Sequence, residues 1–252
     1  QAGDAALLQY LLLNALPREV ADAHLAGTIH LNHAPDWCLR PEDVVHDAGL
    51  LLRGKKIPSG WGVAPIALEF SGGIKDALRL LSLGLEKANS EVSCGQTLDC
   101  FNFMVAKWAG DCERGALENY LREFLFDLVS RGKPVGMTLD LGSNPPLSEL
   151  REFSEGAQSI AEMVISQLLS LSGSSLLGNL RLMVRIGGTE AFAEDSPLML
   201  AHRLALEQGN VVFTRNFNNE GGAIYTWNCG RIAPNNGGDY VADVSRSGIV
   251  GS

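Results

Sequence analysis

The chain has 252 residues, of which 46% are hydrophobic, 19% charged and 7% aromatic. These proportions exclude a disordered, collagenous or disulfide-scaffold chain and leave an ordinary globular protein, long enough for one large α/β domain. Twenty-nine acidic against 20 basic residues give a net charge of −9 with no clustered basic face, which excludes a nucleic-acid-binding surface, and no apolar run approaches the ~18 residues that would cross a bilayer.

The first residue is Gln1, and neither a basic n-region nor an apolar h-region follows it. The chain therefore reads as a piece of something longer rather than a secretory precursor. Five cysteines, Cys38, Cys94, Cys100, Cys112 and Cys229, lack disulfide spacing. They read as reduced thiols in a cytoplasmic compartment, most of them small buried hydrophobes.

In chain order, Leu16-Pro17-Arg18-Glu19 opens a short helix that Gly27 closes, and Thr28 to Leu31 reads as extended. Ile74, Ala77, Leu78, Leu81, Leu85 and Ala88 fall at helical spacing. Further helices are expected from about Ala116 to Val129, Ser148 to Leu171, and Ser196-Pro197 to Gly209. Between them, part of Val92 to Phe103, Val135 to Leu141, Leu180 to Ile186, Val211 to Phe217 and Ala223 to Trp227 read as strands. Strand and helix alternating at this interval predict βαβ units and a mainly parallel sheet of about five strands. No linker splits the chain, so residues 1–252 are read as a single domain.

Two constellations carry chemistry. His24, His30, His33 and Cys38, with His46 further on, include imidazoles at His30-x-x-His33 spacing, but no second pair completes a tetrahedral metal site. Hydrogen-bonding rings near a turn are the plainer reading. Cys229 lies between Trp227-Asn228 and Gly230-Arg231, outside any apolar run, which suits a thiol presented to a ligand. The phosphate-cradling loop, the dinucleotide fingerprint and the nucleophile elbow are all missing.

Three stretches resemble the anaerobic (class III) ribonucleoside-triphosphate reductases, which are glycyl radical enzymes. Leu16-Pro17-Arg18-Glu19 through Gly27-Thr28-Ile29-His30 is similar to the family's early Leu-Pro…Ile-His stretch, with Asn32 where the family has a further His. Cys94-Gly95-Gln96 through Phe101-Asn102 resembles the first barrel strand, and Asp43 to Gly54 the short acidic helix before it. Gly209 to Phe217 is similar to the strand leading into the cysteine loop, here near residues 225–236, with Asn228-Cys229-Gly230-Arg231 in the place of the thiyl-radical cysteine. Arg185-Ile186-Gly187-Gly188 looks faintly like a radical-glycine loop, but it precedes Cys229 and ends a strand, so a Gly-rich turn is the better reading.

The resemblance implies an N-terminal half of a ten-stranded α/β barrel, with mainly parallel strands and outer helices. It implies Cys229 as catalytic residue, Asn228 and His30 as substrate-binding residues, and a nucleotide substrate. It places no cofactor in this chain: the glycyl radical would sit on a C-terminal half, installed by a radical SAM iron–sulfur activase, with formate the reductant in many relatives. Implied partners are that missing half or a second copy, and the activating enzyme. Another glycyl radical enzyme acting on a small carbon substrate, and a non-catalytic α/β binding protein, stay open as alternatives.

Overall fold

A computed structural model of the chain describes residues 2–31, 34–35, 43–47, 73–89, 92, 95–131, 134–142, 148–172, 178–194, 196–215, 224–226 and 232–234. Five parallel strands form one sheet in the order β1-β2-β3-β4-β5, namely Asp43–Asp47, Gly95–Asp99, Val135–Leu141, Leu180–Ile186 and Val211–Arg215. Sequential strands are neighbours throughout, which is the order that successive right-handed crossovers build. Helices α1 (Ala2–Tyr10) and α2 (Arg18–Leu25) precede the sheet. Helices α3 (Ile74–Ala88), α4 (Phe101–Ala109), α5 (Arg114–Val129), α6 (Ser154–Ser170) and α7 (Pro197–Gln208) accompany it.

Local chemistry sets the ends of these helices. The Glu113 side chain accepts from the N–H groups of Gly115 and Ala116 at the start of α5, and Ser196 Oγ accepts from Leu198 at the start of α7. Gly209 stops α7 in the left-handed region at φ 67°, a conformation that glycine enters without steric cost.

Side chains alternate across a strand, and parallel register carries one face across the whole sheet. One face is apolar: Leu98, Val135, Met137, Leu139, Leu141, Leu180, Leu182, Val184 and Ile186 join Leu81, Leu85, Leu121, Leu125, Val164 and Leu168 of the helices in a continuous core. The register rows Thr97–Gly136–Arg181 and Asp140–Arg185–Thr214 define the opposite face. That face also carries Asp99, Thr138 and Met183, and Met183 is fully buried yet outside the core cluster.

Several expectations change. Asp43–Asp47, within the stretch read as a short helix, is strand β1, because its β-branched Val44 and Val45 sit in register with Gln96 and Thr97. Gly95–Asp99 is therefore the second strand of the sheet. Ile224–Thr226, within the last predicted strand, does not join the sheet but pairs antiparallel with Ile232–Pro234 (β6 and β7). The chain also has a helix, α4, that the sequence reading did not include: of Val92 to Phe103, read in part as strand, Gly95–Asp99 is strand and Phe101 opens the helix. Thr28 and Ile29 bend back to donate to Ala23 O, and His30 and Leu31 join no strand.

Candidate functional site

Three strand ends bring a buried ionic group to the polar face. Arg185 of β4 is 1% exposed, and its Nε and Nη2 donate to Asp140 Oδ1 and Oδ2 of β3 at 2.7 and 2.8 Å, a bidentate pair. The same Nη2 lies 2.8 Å from Asp99 Oδ1 at the end of β2, and 3.2 Å from Cys100 Sγ. Two carboxylates and a thiol thus meet one guanidinium. Burial pushes the Cys100 thiol well above its ordinary range, and the Asp99 and Asp140 charges push it further, so the sulfur stays S–H. Burial also raises Asp140, against the opposing pull of Arg185. Burial would lower Arg185, but the two carboxylates outweigh it and raise it well above its ordinary value.

Cys100 turns the chain from β2 into α4 at φ 49° and ψ 34°, the only non-glycine with positive φ among the described residues. Such a position costs a β-carbon residue roughly 1–2 kcal/mol. Two helical residues later, Asn102 completes the edge of β3. Its Nδ2 donates to Asp140 O at 2.8 Å and Ala157 O at 3.1 Å, while its Oδ1 accepts from Asp140 N at 2.9 Å. The hydroxyls of Thr97 and Thr214, on the same face as the ionic group, are buried without a hydrogen-bond partner. A buried orphan of this kind costs about 1–3 kcal/mol that a bound polar group would recover.

Strand β6 approaches β2. Both edges of β2 are occupied, by β1 and β3, and its other face is filled by the helical core. The connection between β6 and β7 contains Asn228 and Cys229, which lie outside the described residues. His30 is exposed, its ring 5.8 Å from that of His24 in the N-terminal segment. His46 is elsewhere: its Nε2 is 2.8 Å from Gln96 Oε1, and Gln96 in turn donates to Leu85 O of α3. Arg185 is a strand residue, and just past the end of β4 Gly187 N donates to Leu141 O of β3 at 2.8 Å.

The ionic group was not singled out in the sequence, although a signal existed. The tripeptide Thr-Leu-Asp occurs twice, at Thr97-Leu98-Asp99 and Thr138-Leu139-Asp140, each time sending a carboxylate and a hydroxyl to the side opposite a core leucine. An Arg two places from Met183 in an otherwise apolar strand was its complement.

No protein-family model matches the chain, and no curated protein matches it either. Solved structures do. The anaerobic ribonucleotide reductase from Thermotoga maritima in complex with dATP and CTP aligns at a TM-score of 0.63 with 11% identity, over 87% of this chain and 41% of that one. The same enzyme with citrate in the active site aligns at 0.60, with 11% identity, over 87% and 44%. A further anaerobic ribonucleotide reductase aligns at 0.62, with 11% identity, over 87% and 38%. Among the described residues no helix is long and apolar enough to cross a membrane. The parallel five-stranded sheet with its outer helices fits half a barrel, and the chain has the fold of the anaerobic ribonucleotide reductases over about 40% of their length.

Proposed function

We propose that this chain forms the cysteine-loop half of a cytoplasmic, radical-based ribonucleotide reductase. Cys229 carries the thiyl radical that takes the hydrogen from the ribose C3′, and Asn228 holds the substrate beside it. An S–H bond is close in strength to an activated C–H bond, so the exchange is nearly balanced once sulfur and carbon are held in line. The supporting observation is the approach of β6 to β2, because β6 and β7 flank the segment that contains Cys229. Buried Thr97 and Thr214 hydroxyls on the polar face suit a ligand with several hydroxyl groups. His30 is an outlying contact in this reading, being exposed in the N-terminal segment.

The radical-storing glycine and the radical SAM activase that installs it lie outside this chain, and they supply the unpaired electron. Formate, a two-electron donor, closes the cycle, and the second half of the barrel covers the open edge of β5. The test uses the full-length protein, activated anaerobically with its activase. Cys229→Ser should retain the glycyl radical by electron paramagnetic resonance but form no deoxyribonucleotide, since the Ser O–H bond is too strong to relay a hydrogen atom. Turnover by Cys229→Ser would remove the residue from the mechanism.

A further inference from the structure

We infer that Thr214 is a substrate-binding residue whose hydroxyl holds a hydroxyl of the nucleotide sugar. The inference rests on the ribonucleotide reductase reading above and names a residue that selects the ligand. Its geometry begins with register. Asp140, Arg185 and Thr214 form one row across β3, β4 and β5, and each is the next-to-last residue of its strand. Thr214 therefore sits at the carboxyl end of a parallel sheet, where α/β proteins take their ligands. It lies on the polar face with the ionic group, is 5% exposed, and its Oγ1 is buried without a hydrogen-bond partner.

The strand has no need of that oxygen. Val211-Val212-Phe213 leads into Thr214, and a valine there would keep the β-branched shape and the preference for strand. A hydroxyl withheld from water and given no partner lowers stability, and a ligand that supplies the partner recovers the loss on binding.

The chemistry of the row selects the ligand group. Arg185 directs Nε and Nη2 to Asp140, and Nη2 also lies against Asp99, so these charges are engaged with one another. A phosphate brought to Thr214 would approach the Asp140 carboxylate of the same row, whereas an uncharged hydroxyl adds no charge to a buried site. A threonine hydroxyl both donates and accepts, and a sugar hydroxyl matches it in both roles. Thr97, which also has a buried hydroxyl without a partner, stands opposite Gly136. That position is about 13 Å before Asp140 along β3 at the rise of an extended chain, too far to reach the same ligand group. A site that hydrogen-bonds a substrate hydroxyl rejects the analogue lacking it, because its own buried group is again left unpaired.

The test uses the full-length protein before activation, so that no ligand is consumed. Equilibrium binding of a labelled ribonucleoside triphosphate, and its displacement by the 2′-deoxy and 3′-deoxy analogues, are measured beside urea unfolding without nucleotide. Thr214→Val should weaken binding of the ribonucleotide about tenfold. It should leave one of the two analogues unaffected, since that analogue lacks the hydroxyl that Thr214 holds. Thr214→Ser should bind like the wild type. Without nucleotide, Thr214→Val should unfold at the same or a higher urea concentration than the wild type, a result that a structural hydroxyl would not give.

A loss shared by the ribonucleotide and both analogues would put the bond on a base or a phosphate and overturn the inference. Unchanged binding of all three overturns it too, as does a Thr214→Val protein less stable than the wild type. A wild-type protein that binds no ribonucleotide instead overturns the functional reading on which the inference rests.

Discussion

Arg185 shows how much one buried side chain holds together. Its guanidinium joins β2, β3 and the Cys100 turn, so removing it strips the buried Asp99 and Asp140 side chains of the cation they share. Arg185→Met should destabilise the fold by roughly 3–5 kcal/mol in urea unfolding, the range for breaking one side of a buried ion pair. The loss should shrink toward acid pH, because burial raises the Asp140 pKa and protonation there removes a buried charge. His46 provides a separate pH signature. Burial lowers its pKa below the ordinary 6.5, only partly opposed by the hydrogen bond to Gln96. The unfolded chain therefore binds a proton more readily than the folded one, and stability is complete above 6.5 and declines as pH falls below it. In His46→Gln the urea midpoint should vary less with pH across that interval than in the wild type.

At the scale of elements, Asn102 takes the place of a strand. The ladder between β2 and β3 ends at Leu98↔Met137, and beyond it both backbone groups of Asp140 bond to the Asn102 side-chain amide. Asn102→Leu should cost about 2–4 kcal/mol, from unsatisfied buried backbone groups, and hydrogen exchange should show the Asp140 amide losing protection. The sequence made helices α3, α5, α6 and α7 legible because their apolar residues recur at helical spacing and Ser196-Pro197 and Gly209 mark ends. It hid α4: Phe101-Asn102-Phe103-Met104-Val105 is buried at every position, so no amphipathic stripe separates helix from strand. It hid β1 for the opposite reason, since Asp43, His46 and Asp47 make a strand look like a polar helix until β2 is paired beside it. The ionic site was illegible because its members are 41 and 45 residues apart along the chain and meet only through sheet register.

At the scale of the whole molecule, the parallel sheet has β1 and β5 at its margins among the described residues. An open margin presents unpaired N–H and C=O groups, a template for another strand. Beside β5, helix α7 exposes Met199 and Leu206, at 64% and 89%. The isolated chain should therefore associate, and sedimentation velocity should show a weight-average mass that rises with concentration. A chain that stays monomeric over a hundredfold range of concentration would contradict that outcome. The alternation of strand and helix was enough to anticipate a mainly parallel sheet, since parallel neighbours require long crossovers. The ionic chemistry of its polar face was not anticipated, because a face is a property of several strands together and of none alone.

The division of the sheet into a leucine-rich side and an ionic side also bears on how the chain finds its native pairing. Because side chains alternate with a period of two, sliding β4 by one residue against β3 would turn Arg185 and Arg181 into the helical core and Leu182 and Val184 out of it. A purely aliphatic strand could tolerate that slip during folding. This one cannot, and the guanidinium that serves the site also acts as a registration mark during assembly.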